Sequence, residues 1–248
     1  MKAMILTAGI GSRLKPLTDN TPKALVKVGE YRMLDLAIAY LQKHGINQFV
    51  INVHHLADQL MEYVSEKRWE GINISISNEA DELMNTGGGI HKAAPFFNSD
   101  DAFVVMAVDV LTDLDLTAMI KQHQKNKPLV TLAVKERKTS RDLMFDKDGL
   151  LAGWKHNETG ETKLVAGKEQ VNGFGFSGIH VLSTEIFDKF TETGAFSIVD
   201  AYLRLAETEN IEQFNHTGDV WLEFGRAAQI EALVKSEESK ATVSILLS

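Results

Sequence analysis

There is no cysteine among the 248 residues. That excludes a disulfide framework, a thiolate metal site and a cysteine nucleophile. Proline is scarce: 4 residues, two of which, Pro16 and Pro22, fall in one short loop. Basic charge is in deficit, with 26 Lys and Arg against 34 Asp and Glu and a formal net charge of −8. General nucleic-acid binding wants a basic footprint, so no nucleic-acid partner is expected. No apolar run near the N-terminus is long enough for a signal peptide or a membrane span. A cytoplasmic protein with no membrane partner is the resulting expectation.

What is present is ordinary for a globular protein. Hydrophobic residues make up 44% and charged residues 24%, and a chain of this length buries a large core without staples. Short runs rich in Val and Ile predict strands at Met4–Leu6, Phe49–Val53, Ile72–Ile76, Phe103–Val108 and Leu129–Val134. Amphipathic stretches between them predict helices at Met33–His44, Leu56–Lys67 and Leu116–Asn126, with Gly45 placed as a C-cap. Strand–helix alternation of this kind builds a mostly parallel sheet covered on both faces. Beyond Lys135 the rhythm changes. Met144–Trp154 reads as a hairpin turning at Asp148-Gly149. The polar stretch 157–170 reads as an exposed excursion. Further strands are expected at Gly173–Leu182 and Val220–Phe224, and helices at Thr184–Phe190, Ser197–Thr208 and Arg226–Ser236. There are no internal repeats and no low-complexity linker, so the second half is expected to be a lobe on the same sheet.

Residues 6–28 hold two glycines, an arginine, three lysines and two prolines directly after the first strand. Backbone N–H groups around Ala8, Gly9, Gly11 and Ser12 suit phosphate oxygens, although a G-x-G after a strand is also simply a turn. Position 14 is Leu, where the dinucleotide fingerprint needs a small residue. No Gly-Lys-Ser/Thr follows, which excludes a Walker loop. Arg13 can fork two phosphate oxygens and Lys23 offers a point charge. Pro16 and Pro22 stiffen the segment.

The run G-I-G-S-R-L-K-P-L-T-D-N-T-P-K-A-L-V-K-V at 9–28 closely resembles the signature of the sugar-1-phosphate nucleotidyltransferases. The resemblance continues in the same order through most of the chain. It implies an α/β fold: a Rossmann-like three-layer α/β/α sandwich with a mixed, mostly parallel sheet and a small sugar-binding lobe. The implied layout is one domain over 1–248. Residues 1–135 would be the nucleotide-binding half, 136–225 the sugar-binding lobe with the metal motif, and 226–248 the last helix and tail. Longer relatives append a β-helix or an acyltransferase domain; here a single-function enzyme is expected, as a monomer or small homo-oligomer.

Three further segments fit the resemblance. Thr86-Gly87-Gly88-Gly89 reads as a strand–helix turn, and the family places such a turn against the nucleotide base, which assigns Gly87 and Gly88 to nucleotide binding. Its form resembles most the short uridylyltransferases acting on N-acetylmuramate 1-phosphate, and heptose-1-phosphate guanylyltransferases carry a similar turn. Asp109 ends an apolar strand where relatives have Gly-Asp; Asp113 and Asp115 read as surface or cap residues. In Trp221-Leu222-Glu223-Phe224-Gly225-Arg226 a Glu stands where the family has its second metal-binding Asp, and Arg226 reads as solvated. The resemblance thus implies Mg²⁺ held by Asp109 and Glu223, whose extra methylene is a departure. Phe176-Ser177-Gly178-Ile179 resembles the sugar-pocket strand, assigning Ser177 and Gly178 to the sugar, while the residues alone read equally as a core strand with a bulge. Arg141-Asp142-Leu143 falls where relatives carry a loop near the sugar. His54-His55 are read as non-metal.

The implied reaction joins a nucleoside triphosphate to a sugar 1-phosphate, with release of pyrophosphate. Arg13 would hold the β/γ oxygens and Lys23 the charge at the α-phosphate, making these two the catalytic pair. UTP with N-acetylmuramate 1-phosphate is the favoured combination. The alternatives are a mannose- or heptose-1-phosphate guanylyltransferase and a low-turnover nucleotide-sugar sensor. Leu14 and the basic loop disfavour an NAD-type dehydrogenase.

Overall fold

A computed structural model of the chain describes residues 1–67, 69–237, 241 and 243. Strand β1 (Ala3–Leu6) leads into the basic loop, which closes with the short strands β2 (Lys27–Val28) and β3 (Tyr31–Arg32). Then follow α1 (Met33–Lys43), β4 (Gln48–Val53), α2 (Ala57–Glu66), β5 (Asn73–Asn78), α3 (Asn85–Lys92), β6 (Ala102–Ala107), β7 (Val110–Thr112), α4 (Leu116–Asn126) and β8 (Val130–Lys135). The second half holds β9 (Arg141–Phe145), β10 (Leu151–His156), β11 (Thr162–Leu164), β12 (Asn172–Ser183), α5 (Ile186–Lys189), α6 (Ile198–Leu205), β13 (Ile211–Asn215), β14 (Trp221–Glu223) and α7 (Ala227–Lys235).

The main sheet has ten strands and runs β11-β10-β9-β12-β6-β1-β4-β5, with β8 pairing β12 and β13 beside this path. Strands β6, β1, β4 and β5 are parallel to one another. The lobe strands β9, β10 and β11 are antiparallel and continue the same sheet through β12. Side chains of β1 alternate between two cores, as the strand period of two requires. Ala3 and Ile5 face one core with α1 and α4, while Met4 faces another with α3 and α6. Helices on both faces of a mixed sheet give the expected three-layer sandwich.

The predicted elements lie close to their expected places. Gly45 has φ +78° just past α1, as a helix-ending glycine should. Gly149 has φ +78° in the β9–β10 turn. Asp115 caps α4, its Oδ1 accepting from Ala118 N at 3.0 Å, and Asp113 Oδ1 accepts from Val220 N at 2.7 Å. The polar excursion 157–170 contains β11, every residue of which is exposed.

One expectation is corrected. Gly87, Gly88 and Gly89 do not form a turn; they sit inside helix α3 and are buried. Their lack of side chains lets the helix lie against the segment 194–196 and Glu79. A Cβ on Gly87 would stand 2.3 Å from the Phe196 ring, one on Gly88 2.3 Å from the Gly194 carbonyl oxygen, and one on Gly89 2.7 Å from Glu79 Oε1. Glycine costs roughly 1 kcal/mol in a helix, and this close approach offsets it. Gly88→Ala should therefore lose about 1–3 kcal/mol of stability through overpacking. Gly9→Ala, with nothing within 4 Å of the added carbon, should stay within about 0.5 kcal/mol of the parent. Urea unfolding of the two variants measures the difference, and equal stabilities would refute the packing account.

Candidate active site

The basic loop is built by its own hydrogen bonds. Leu14 N donates to Gly11 O at 2.8 Å and Leu25 N to Pro22 O at 2.8 Å. Gly11 has φ +67°, and a Cβ there would meet Thr18 Cγ2 at 2.8 Å, so only glycine fits. Thr18 Oγ1 donates to Gly11 O at 2.8 Å. Leu14, which breaks the dinucleotide fingerprint, is fully buried and anchors the loop to the core beside β1. Around this anchor Ala8 is buried, Gly11 half-buried, and Gly9, Ser12 and Arg13 exposed.

Two ion pairs join this loop to strand ends. Lys23 Nζ lies 2.5 Å from Asp109 Oδ2, and both side chains are largely buried. Arg13 Nη2 lies 3.7 Å from Glu223 Oε1 in a more open setting. The two carboxylates come from neighbouring backbone. Phe224 N donates to Asp109 O at 2.8 Å, and β14 pairs with β7 so that Glu223 stands opposite Val110. Arg13, Lys23, Asp109 and Glu223 are thus brought to one place from three distant parts of the chain. Among the described residues no cluster of three or more His, Asp or Glu forms a ready metal cage.

The root of the loop is tied to α3 by a buried polar chain. Thr7 N donates to Asn52 Oδ1 at 2.7 Å, Asn52 Nδ2 to Glu79 Oε1 at 2.8 Å, and Met84 N to Glu79 Oε2 at 3.2 Å. Asn52 and Glu79 are both buried. Gly87 N and Gly88 N donate to Phe196 O at 2.9 and 3.4 Å, so these N–H groups are engaged within the protein. Sequence reasoning missed Asn52 and Glu79. A polar residue inside the apolar run Phe49–Val53 was the available signal.

Beside Arg13 and Glu223 opens a cavity of about 820 Å³, lined further by Arg137, Arg141, Asp142, Trp154, Lys163, Phe176 and Asp200. Ser177 is not on this lining. The register of β12 shifts between Phe176 and His180, and Gly178 at φ +74° packs against Ala107 and Val110. This bulge buries Ser177, whose Oγ lies 2.7 Å from His216 Nε2; Phe176 reaches the cavity instead. Arg137 was also missed, because nothing in Lys135-Glu136-Arg137-Lys138 sets it apart from its charged neighbours. In the structure its guanidinium sits 4.0 Å over the Trp221 ring, and Nη2 donates to Phe176 O at 2.9 Å. Burial pushes its pKa down, while the charges of Glu223 and Asp142 act the other way. His54, read as non-metal, has Nδ1 2.7 Å from Glu79 O, and Arg226 is exposed.

A glycine-bearing cationic loop set against paired strand-end carboxylates at the edge of a three-layer sandwich is an arrangement suited to phosphate groups. Residues 2–143 match the nucleotidyl transferase family. An N-acetylmuramate alpha-1-phosphate uridylyltransferase of Neisseria meningitidis is 32% identical over 93% of this chain and 96% of its own length. A D-glycero-alpha-D-manno-heptose 1-phosphate guanylyltransferase of Aneurinibacillus thermoaerophilus is 28% identical over 82% and 84%. The chain spans only 37% of a longer UTP–glucose-1-phosphate uridylyltransferase of Synechocystis, which is 34% identical over 54% of this chain. Among solved structures, the inositol-1-phosphate CTP transferase of T. maritima superimposes with a TM-score of 0.76 at 16% identity, covering 99% of this chain and 95% of that one. The chain belongs to the nucleotidyl transferase family. Within it, the class is that of the sugar-1-phosphate nucleotidyltransferases. Among the described residues no helix is long and apolar enough to cross a membrane.

Three buried histidines give the fold a pH dependence. Burial is the leading cause in each case. It holds His216 at a pKa of about 4, helped by Lys135 and Arg137, His123 at about 4 and His180 at about 3, against an ordinary 6.5. The unfolded chain takes up these protons near pH 6.5 and the native chain only near 4 or below. Unfolding therefore binds protons in that window, and these rings lower stability as pH falls from 6.5 towards 4. His216→Gln should remove about one proton from this uptake, seen as a shallower fall in unfolding free energy. A variant profile parallel to the parent's between pH 4 and 6.5 would contradict this assignment.

Proposed function

We propose that the chain transfers uridylyl from UTP to N-acetylmuramate 1-phosphate, giving the UDP-sugar and pyrophosphate. The observation that carries the chemistry is the double pairing of Lys23 with Asp109 and Arg13 with Glu223. Arg13 and Glu223 line a cavity large enough for a sugar, and Lys23 with Asp109 stands on the adjoining backbone, which supports a reading in which two cations and two hard oxygen donors act together. The identity of the sugar and base rests on the Neisseria relative, which matches nearly end to end, and on the Thr86-Gly87-Gly88-Gly89 segment.

In this reading a phosphate oxygen of the sugar 1-phosphate attacks the α-phosphorus in line. The bond from that phosphorus to the bridging oxygen breaks, and pyrophosphate leaves with the electron pair. No covalent enzyme intermediate is needed, so the protein's work is positioning and charge neutralisation. Backbone N–H groups of Ala8, Gly9, Gly11 and Ser12 cradle the leaving pyrophosphate, with Arg13 on its oxygens. Lys23 turns from Asp109 to the α-phosphate and holds the negative charge that both substrates bring. Gly87 and Gly88 act on the base side by seating α3 rather than by free donors. Phe176 and Gly178 shape the sugar side, and Ser177 supports that strand from behind.

Asp109 and Glu223 fit a small hard cation. Both are oxygen donors on adjoining backbone, and Mg²⁺ commonly takes one or two carboxylates plus phosphate oxygens and water. When bound, Mg²⁺ supplies charge neutralisation across the phosphates. The extra methylene of Glu223 is accommodated because Gly225 leaves space beside it, where a Cβ would stand 3.0 Å from Glu223 Oε1.

Lys23→Ala should lower kcat by roughly 10²–10³, the scale of losing one preorganised electrostatic donor. A variant with parental kcat and only a raised KM would restrict Lys23 to binding. Glu223→Gln removes the charge at constant shape, so Mg²⁺ binding measured by titration calorimetry with nucleotide should weaken, and Glu223→Asp should retain it. Parental Mg²⁺ affinity in the Gln variant would remove Glu223 from the ligand set. Pyrophosphate release across a grid of nucleotides and sugar 1-phosphates should favour UTP with N-acetylmuramate 1-phosphate. Release with GTP and a heptose or mannose 1-phosphate, but not with UTP, would replace this reading by the guanylyltransferase one.

A further inference from the structure

We infer that Arg137 and Arg141 read a carboxylate on the acceptor sugar, making them the residues that select an acidic sugar 1-phosphate. The inference rests on the transfer reading above and adds which side chains choose the sugar.

The argument is one of unmatched charge. Both guanidinium groups line the 820 Å³ cavity. Of the three carboxylates on that lining, two are paired with a cation and the third accepts from a neutral amide. Glu223 faces Arg13 at 3.7 Å, Asp200 Oδ1 holds Lys163 Nζ at 2.6 Å, and Asp142 Oδ2 accepts from Asn157 Nδ2 at 2.8 Å. Among the described residues, neither Arg137 nor Arg141 has a carboxylate within ion-pair distance.

Arg137 is held in place as well as unmatched. The Trp221 ring lies under it, and its Nη2 is anchored on Phe176 O. Gly175 makes room for it, since a Cβ there would stand 2.8 Å from Arg137 Nε. That Nε is buried without a hydrogen-bond partner. A half-buried cation with no carboxylate in ion-pair distance, balanced only by the longer-range charges of Glu223 and Asp142, keeps a desolvation cost that an anionic ligand offsets. A planar guanidinium also matches a carboxylate through two parallel hydrogen bonds.

The position of Arg141 favours the sugar over the triphosphate, and Arg137 lines the same cavity. Arg141 begins β9, opposite His156 on β10, and β10 carries Trp154 opposite Lys163 of β11. Arg141 therefore belongs to the lobe, whereas the cations of the basic loop stand with Asp109 and Glu223. N-acetylmuramate differs from N-acetylglucosamine by a lactyl ether, which ends in a carboxylate.

The test compares three acceptors with UTP: N-acetylmuramate 1-phosphate, its lactyl carboxamide, and N-acetylglucosamine 1-phosphate. The parent enzyme should prefer the acid over the amide by about ten- to a hundredfold in kcat/KM, the range of a charge-assisted contact. Arg137→Lys keeps the charge and loses the fork, so it should shrink that ratio. Arg141 is exposed, which keeps Arg141→Gln informative if the Arg137 variant folds poorly; it too should shrink the ratio. Equal use of acid and amide by the parent overturns the inference. So do variants that slow all three acceptors by the same factor, because the two arginines would then serve the shared phosphate. Turnover of neutral sugar 1-phosphates alone overturns the inference and leaves transfer standing. Failure to release pyrophosphate with any sugar 1-phosphate overturns the transfer reading, and this inference falls with it.

Discussion

Lys23 Nζ and Asp109 Oδ2 lie 2.5 Å apart with little exposure of either side chain. Through this ion pair the basic loop after β1 meets the carboxyl end of β6. Removing one partner from such a pair leaves an uncompensated charge and typically costs about 3–5 kcal/mol. The loop is therefore not free to drift. Its own turns, fixed by Gly11, Thr18 and the buried Leu14, present Arg13 towards Glu223 at the same edge. The pairing also fixes what the site can take. Each cation is balanced in the free protein, so a polyanionic ligand must bring a cation or separate the pairs. On the proposed reading, triphosphate arriving with Mg²⁺ would do both.

The same edge is tied to the rest of the fold by buried polar contacts. The chain from Thr7 through Asn52 and Glu79 to Met84 N links the loop's root to α3. The three glycines bring α3 against Glu79 on one side and the segment 194–196 on the other. Buried polar groups are costly unless satisfied, and when satisfied they fix a unique arrangement. On the lobe side, the bulge at Gly178 turns Ser177 inward to His216. Trp221 Nε1 donates to Ser177 O at 2.9 Å, and Arg137 rests on the Trp221 ring. Trp221, two residues before Glu223, thus also supports the wall of the cavity that Arg137 lines.

Much of this was legible in the residues. The alternation of apolar runs and amphipathic stretches located the parallel half, since period-two and period-3.6 patterns are local properties. The spacing of Arg13 and Lys23 in a proline-stiffened loop pointed to phosphate. Asp109 and Glu223 were singled out through the motif resemblance, and both lie at strand ends that meet the basic loop. Other features were not legible because they depend on long-range packing. Gly87–Gly89 looked like a turn, since glycine is a poor helix former; the helix exists because Phe196 and Gly194 press against it. Ser177 looked available because Ser and Gly are small, but a bulge decides which way it points. Arg137 sat in a polar, charged run, and only the fold brings Trp221 beneath it.

A structure of the complex with Mg²⁺ and a non-hydrolysable UTP analogue tests the account most directly. The account predicts that Lys23 Nζ leaves Asp109 for a phosphate oxygen, that Asp109 and Glu223 both face the cation, and that Arg13 contacts the terminal phosphates. A triphosphate bound elsewhere, with the Lys23–Asp109 pair intact, would contradict it.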